Sequence, residues 1–324
     1  MTTNDLAIII VNYKSWILLR KCLQSFQKYP PKINYEIIVV DNDSQDNKFN
    51  AFQQEFPNIT LIANTGNHGF SNGCNLGAKH ASAKMLLFIN PDVILTRSKA
   101  IDTIVVFAKE NLNVGITSCR RINSKGKHER ELAFLHLWLN TGWMRAFYKL
   151  CNKQALALRF PQSADVWYPD WVSGSVVLIH TSLFQKVGGW SQDYFWMYSE
   201  DPDLCKKVRE QGKEIALLRH VELQHAQGGA SRRNLQTTAI TKSEVVTSQH
   251  VFIQRHAKGF NRLALHIFTL SNTLIAWSLR TLITAIFFWT PLFKSSLLTW
   301  VAIIKYYISA LVRGTWKSKR LKDK

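Results

Sequence analysis

Four apolar runs of strand length, each closed by a polar cluster, constrain this chain more than any other feature. LAIIIV runs into NYKS, YEIIVV into DNDS, NITLIA into NTGNHGFSNG, and KMLLFI into NPD. A short continuous apolar run bounded by turn residues reads as a strand buried on both faces. Between the runs lie helical patterns. SWILLRKCLQSFQKY places Ile17, Leu18, Cys22, Leu23 and Phe26 at helical spacing, and SNGCNLGAKHAS reads as a helix with Ser71 as its N-cap. NVGITSC supplies a fifth strand and WVSGSVVLIH another; EIALL and VELQH read as two short ones. DPDLCKKVREQG is a helix with Pro202 at its first position and Gly212 past its end. Strands alternating with helices predict an α/β fold with a mixed, mostly parallel sheet flanked by helices.

Ligands of such sheets bind beyond the carboxyl ends of the strands. The four polar clusters therefore fall on one edge, where Asp41, Asn42, Asp43, Asn67, Asn72, Asn90 and Asp92 converge. Each cluster alone also reads as an ordinary turn, since Asn, Asp, Ser and Gly bond the local backbone. Four on one edge favour a nucleotide site. Neither a Walker loop nor G-x-G-x-x-G follows the first strand, so a glycine cradle is not the main phosphate holder. A divalent cation, Mg²⁺ or Mn²⁺ on carboxylate and phosphate oxygens, is the natural substitute.

Taken together, VNYKS, VVDNDSQD, NTGNHGFSNGCNLG, FINPDV, WVSGSVVLI, GGWSQDYFWMYSEDPDLCKKV and HAQGGAS resemble the inverting glycosyltransferases of family 2, and within them the rhamnosyltransferase branch. The resemblance spans roughly residues 6 to 232. It implies a GT-A fold, a nucleotide-sugar donor and a divalent metal. Carried over, Val11, Asn12 and Tyr13 line the base and ribose, with Asp41, Asn42 and Asn72 as further donor contacts. Asn90-Pro91-Asp92 stands where the family has D-x-D: Asp92 becomes the metal ligand and Asn90 faces ribose or diphosphate. The first acid of that signature is Asn here, which leaves one charge fewer. His225 becomes a second metal or diphosphate contact; its alternative is a surface histidine after a strand. Glu200-Asp201 matches the family's acidic pair, with Asp201 as general base and Glu200 orienting the acceptor. Acids in a first helical turn also serve the helix dipole, so a structural role competes. Arg232 or Arg233 is a candidate diphosphate contact, and Trp196 a candidate for stacking on the acceptor sugar.

The 324 residues carry 41 Lys plus Arg against 22 Asp plus Glu, a formal charge of +19. That balance suits an anionic partner. The five cysteines form no C-x-x-C pair, which fits a reduced compartment. MTTND is polar and Leu6–Val11 is short, so no signal peptide is expected. The sequence divides into a catalytic domain over 1–235, its nucleotide-binding half about 1–120 and its acceptor half 121–235, and a helical, membrane-associating region over 236–324. From Leu263 to Val312 the chain is apolar and aromatic, interrupted by Arg262, Arg280, Lys294 and Lys305. Helices lying in the bilayer interface fit this pattern, with the basic end RGTWKSKRLKDK on anionic lipid. The alternatives are a spanning segment within Thr281–Ile304, with Lys294 as a defect, and a soluble helical subdomain or oligomer interface. The expected reaction is transfer of a sugar to a lipid-linked saccharide at the cytoplasmic face of a bacterial inner membrane, for surface polysaccharide synthesis. The branch implies dTDP-L-rhamnose; galactose, glucose and GlcNAc donors stay open. A metal-dependent nucleotidyltransferase is the competing enzyme, and a basic lipid- or nucleic-acid-binding protein the competing non-enzyme. The first would carry a Gly-rich basic signature after the first strand, which VNYKS lacks; the second gives no reason for acids clustered at the strand ends, and no nucleic acid is expected.

Overall fold

The computed structural model describes residues 4–129, 131, 133–194, 198–226 and 234–321. Two compact units emerge. One comprises Met1–Leu135, Ala157–Ser191 and Glu200–Ala230; the other comprises His136–Leu156, Gln192–Ser199 and Ser231–Lys324.

The first unit is built on one sheet. Its strands are β1 (Leu6–Asn12), β2 (Tyr35–Asp41), β3 (Thr60–Ala63), β4 (Met85–Ile89), β5 (Val93–Leu95), β6 (Val114–Ile122), β7 (Val166–Trp167), β8 (Val176–His180) and β9 (Glu214–His225). They lie in the order β3-β2-β1-β4-β8-β6-β9-β5, with β7 on β9. The pairings β1–β2, β1–β4 and β2–β3 are parallel, as their continuous apolar runs predict. β8 runs antiparallel to β4 and β6, and β5 antiparallel to β9, so the sheet is mixed. The two short strands expected over EIALL and VELQH are one strand, β9, whose pairing slips from Cys119↔Leu218 to Arg120↔Glu222. A bulge absorbs the polar residues that made the segment look interrupted.

Side chains alternate across this sheet. Leu6, Ile8, Ile10, Val39 and Leu87 pack with Trp16, Leu19, Leu23 and Phe26 of helix α1 (Trp16–Lys28) and with Phe52 of α2 (Lys48–Glu55). Each fully buried side chain of this kind stabilises the unit by about 1.5–3 kcal/mol. Ile9 and Val11 face helix α3 (Phe70–His80). Two glycines let α3 lie directly on β1: a Cβ at Gly77 would stand 2.6 Å from Ile9 Cγ2, and one at Gly73 2.8 Å from Val11 Cγ1. Ser71 is therefore not the N-cap of α3. It is the second helical residue, and Gly69 at φ 86° takes the cap position. Helices α4 (Ala100–Glu110), α7 (Thr181–Lys186) and α8 (Glu200–Arg209) complete the layers, and α6 (Lys153–Arg159) precedes β7. Pro202 falls in the first turn of α8, as its third residue, and Gly212 follows at φ 74°.

The second unit contains α5 (Gly142–Cys151), α9 (Leu235–His256), α10 (Gly259–Ala285) and α11 (Pro291–Arg313). The stretch Thr281–Ile304, weighed as one spanning segment, is not one helix: the chain leaves α10 at Ala285 and re-enters a helix at Pro291. Proline suits that first helical position and not a helix interior. By length and composition alone α11 would cross a membrane, at a mean hydropathy of 1.5. Leu282, Ile286, Phe287, Phe288, Trp289 and Leu292 are exposed around the α10–α11 turn. The basic end is not simply free for lipid. Trp316 stacks on His250 and His266, while Arg320 and Lys317 pair with Glu244 and Asp193.

Candidate active site

The strand directions decide which residues meet. β1, β2, β3 and β4 all end on the same edge. β8 begins there, since Ile89 lies opposite Val176; β9 ends there, and β5 begins there with Val93 opposite His225. The loops after β1 to β4, the WVSGS turn before β8, and His225 thus share one edge of the first unit.

A buried polar lattice ties the first loops together. Asn12 Nδ2 donates to Asp41 Oδ1 at 2.6 Å, and Ser44 donates to both Asp41 oxygens, through Oγ at 2.6 Å and its backbone N–H at 2.9 Å. Asn42 Nδ2 donates to the Gly69 carbonyl at 2.9 Å, and Asn64 Nδ2 lies 2.9 Å from both Asn42 Oδ1 and Asn72 Oδ1. Asn12 is wholly enclosed; Val11, Asp41 and Asn42 are buried. Val11, Asn12 and Asn42, expected to contact the nucleotide, are buried beneath that edge, with the two asparagine side chains hydrogen-bonded inside the protein. Tyr13, Asn72 and Asn90 keep surface, as does Asp43 at φ 57°.

The NPD turn carries the second group. The Asn90 N–H donates to the Ser175 carbonyl at 3.1 Å and the Val93 N–H to the Asn90 carbonyl at 3.1 Å. Asp92 is buried, its Oδ1 3.2 Å from His225 Nε2. His225 is no surface residue. It is buried at the end of β9, with Nδ1 2.6 Å from Glu129 Oε1, and Glu129 accepts from Arg121 Nε at 2.9 Å. Burial alone would lower the imidazole pKa; hydrogen bonds and charge from Asp92 and Glu129 outweigh it and raise it to about 9. His225 and Arg121 together hold Glu129 below its ordinary value, although burial acts the other way.

The Asp92 carboxylate suits a hard cation. Its 3.2 Å contact with His225 Nε2 is a hydrogen-bonded ion pair, and an imidazole held near 9 is protonated at neutral pH, so His225 would have to lose its Nε2 proton before it joined a metal. Among the described residues no set of three His, Cys, Asp or Glu side chains is arranged for a metal.

Asp201 is the third group. As the second residue of α8 its carboxylate has a fixed backbone, and Oδ2 accepts from the Gly174 N–H at 3.2 Å. Burial raises it from 3.8 to about 6, against the backbone hydrogen bonds and the Arg121 charge. Gly174 adjoins Ser175, whose carbonyl holds Asn90. Two backbone contacts on adjacent residues therefore tie the base candidate to the NPD turn. Glu200 is buried beside Cys74, whose thiol it helps to raise after burial itself. The Asn75 amide exchanges hydrogen bonds with the Trp190 backbone at 2.8 and 3.0 Å, and Trp190 packs on Phe70 and Phe88. Trp196, Arg232 and Arg233 lie outside the described residues. Sequence reasoning missed Glu129, Arg121, Ser44, Asn64 and Asn75; of these only the CRRIN stretch, with charges inside an apolar strand, carried a local signal.

Residues 7–162 match the family described as Glycosyl transferase family 2. The hexosyltransferase Agl10 of low-salt glycan biosynthesis, from Haloferax volcanii, is 26% identical over 228 residues, covering 69% of this chain and 68% of that protein. Rhamnosyltransferase WbbL of Escherichia coli K12 is 26% identical over 216 residues, 64% of this chain and 78% of its own. The N-acetylglucosaminyl-diphospho-decaprenol L-rhamnosyltransferase of Mycobacterium tuberculosis is 24% identical over 256 residues, 72% and 79% of the two chains. Among solved structures, mannosyltransferase PcManGT of Pyrobaculum calidifontis, in complex with GDP-Man and Mn²⁺, superposes with a TM-score of 0.56 at 17% identity, over 94% of this chain and 87% of that one, and shares the fold. Motifs, sheet and relatives agree: residues 7–162 carry a family 2 glycosyltransferase domain, the fold is GT-A, and the chain is a glycosyltransferase similar to rhamnosyltransferases and other hexosyltransferases.

Proposed function

We propose that the protein transfers a sugar, L-rhamnose from its dTDP donor in the first instance, with inversion, to a hydroxyl of a lipid-linked saccharide. The observation that carries this reading is the link from Asp201 through Gly174 and Ser175 to Asn90, beside Asp92 and His225. It supports a carboxylate of raised pKa working on the same sheet edge as the pair proposed to hold cation and phosphate.

Tyr13, Asn72 and Asn90 contact the nucleotide and ribose, over the lattice of Asn12, Asp41, Ser44 and Asn42. Asp201 takes the proton of the acceptor hydroxyl. The hydroxyl oxygen forms its bond to the anomeric carbon as the bond from that carbon to the diphosphate breaks, the electron pair leaving with the diphosphate. A pKa of about 6 leaves the base ionised at neutral pH and basic enough to accept the proton. Asp92 and His225 would hold Mg²⁺ or Mn²⁺, which when bound supplies Lewis-acid charge to the leaving group. Glu129 and Arg121 orient His225. The names of the E. coli and mycobacterial relatives support rhamnose and a diphospholipid acceptor. The exposed aromatic turn Phe287–Trp289, with Arg280 and Lys294 on the flanking helices, supports attachment at a cytoplasmic membrane face, the apolar tip in one leaflet and the cations at the headgroups.

The test is a screen of nucleotide sugars against polyprenyl-diphospho-GlcNAc, with the anomeric configuration of product read by NMR. Transfer from dTDP-L-rhamnose with inversion is expected. Retention, or nucleotidyl transfer in place of glycosyl transfer, would overturn the reading.

A further inference from the structure

Close to Asp201, and within the same compact unit, stands an aromatic ring, Phe70. Phe70 is the first residue of α3 and follows directly on Gly69. The Gly69 carbonyl accepts from Asn42 Nδ2 at 2.9 Å and from the Gly73 N–H at 3.2 Å. The polar lattice beneath the nucleotide loops therefore sets where Phe70 starts. Its ring meets Trp190 edge-on, with centroids 5.6 Å apart and planes at 75°. Trp190 is itself fixed: it is buried, it meets Phe88 edge-on at 5.3 Å, and the Asn75 amide holds its backbone. Held on both sides, Phe70 nevertheless keeps surface, which Trp190 does not.

Gly174 shows where the ring lies relative to the base. A Cβ on Gly174 would stand 3.3 Å from Trp190 Cη2, 3.6 Å from Asp201 Cβ and 3.7 Å from Phe70 Cε1. The three side chains surround one point, and it belongs to the residue whose N–H holds the Asp201 carboxylate. Phe70 and Asp201 are thus near enough for one hexose to touch both. Phe70 also stands two residues before Asn72, whose Oδ1 lies 2.9 Å from Asn64 Nδ2 among the nucleotide loops. In an inverting transfer the hexose lies between the leaving diphosphate and the incoming oxygen. A side chain set between the nucleotide loops and the base is therefore beside that hexose. Phe70 offers it no hydrogen bond. A fixed ring suits the C–H side of a pyranose, or a methyl group that it carries.

We infer that Phe70 is a specificity-determining residue: its ring is the wall against which the apolar side of the transferred hexose lies, while Asp201 faces the acceptor. This rests on Asp201 being the base.

The test is calorimetric binding with Mn²⁺ of two pairs, dTDP-L-rhamnose with dTDP and UDP-glucose with UDP, to the full chain. Phe70→Ala is expected to weaken the nucleotide sugar by roughly 10-fold and to leave the free nucleotide and the melting temperature unchanged; Phe70→Tyr, which keeps the ring, stays within about twofold of wild type. Wild-type affinity for the nucleotide sugar in Phe70→Ala would overturn the proposal. So would an equal loss of nucleotide sugar and free nucleotide in both Phe70→Ala and Phe70→Leu, together with a fall in melting temperature, for the ring would then serve packing alone. Binding of the UDP pair in place of the dTDP pair overturns the rhamnose reading and tests the wall on UDP-glucose; if neither nucleotide sugar binds, the wall falls with the donor. Turnover of Asp201→Asn separates the layers: if it is retained, the base assignment falls; if it is lost while Phe70→Ala binds as wild type, the wall alone falls.

Discussion

Replacing Asp201 with asparagine keeps the shape of the side chain and removes its charge. The carboxyl stands at about 6 in the folded chain against an ordinary 3.8. At about 1.4 kcal/mol per pH unit, that difference places on the folded state a cost of at most about 3 kcal/mol for ionising the group. The retained Gly174 contact and partial solvent access bring the working range to about 1–3 kcal/mol. Because the folded value is raised, the native chain binds this proton more tightly than the unfolded chain. Its stability therefore falls as pH rises from about 4 to about 6 and stays at the lower level above. The amide of Asp201→Asn carries no such cost. The variant should melt several degrees above the wild type at pH 7.5, at about 2–4 °C per kcal/mol, and match it below about pH 4. Its turnover should fall by about 10²–10⁴-fold, the usual loss for a general base, while wild-type turnover shows an acid limb near pH 6. Calorimetry across pH and steady-state rates on the same preparations provide the assay. Near-normal turnover in Asp201→Asn refutes the base assignment. A variant that melts lower than wild type by the same amount at every pH refutes the electrostatic argument.

Gly77→Ala should destabilise the protein by roughly 1–2 kcal/mol in urea unfolding, the clash with Ile9 exceeding the gain of about 1 kcal/mol in helix propensity. Asn12→Ala removes a donor from the buried Asp41 carboxylate and should cost about 1–3 kcal/mol; nucleoside diphosphate affinity should fall with it, both read by thermal shift. Changing Phe287, Phe288 and Trp289 together to serine should abolish flotation with anionic vesicles and leave turnover in detergent unchanged.

How far the sequence could be read follows from the range of each interaction. β1 to β4 and their loops were legible because burial and chain reversal are local: an apolar run needs a core, and the polar cluster after it marks the exit. Parallel pairing then put Asn12, Asp41, Asn90 and Asp92 on one edge. β5 was not legible, for three residues after a turn have no period of their own. The partners of His225 were hidden for another reason. Glu129 lies 96 residues away, and only the slip of β9 against β6 and the pairing of β5 bring the two carboxylates to one imidazole. The Asn75–Trp190 exchange, across 115 residues, is equally silent in the sequence. Buried support and exposed contact look alike as letters, so the burial of Asn12 and Asn42 was not legible. Composition likewise shows the charge of the basic end and not Asp193 and Glu244, which meet its Lys317 and Arg320.

The account turns on a division of labour along one sheet edge, with Asp92 serving the diphosphate and Asp201 the acceptor. Titration calorimetry of dTDP with Mn²⁺ into the wild type, Asp92→Ala and Asp201→Asn tests it most directly. Binding should be lost in Asp92→Ala and retained at wild-type strength in Asp201→Asn. Full binding by the Asp92→Ala protein, or its loss in the Asp201→Asn protein, would contradict the account.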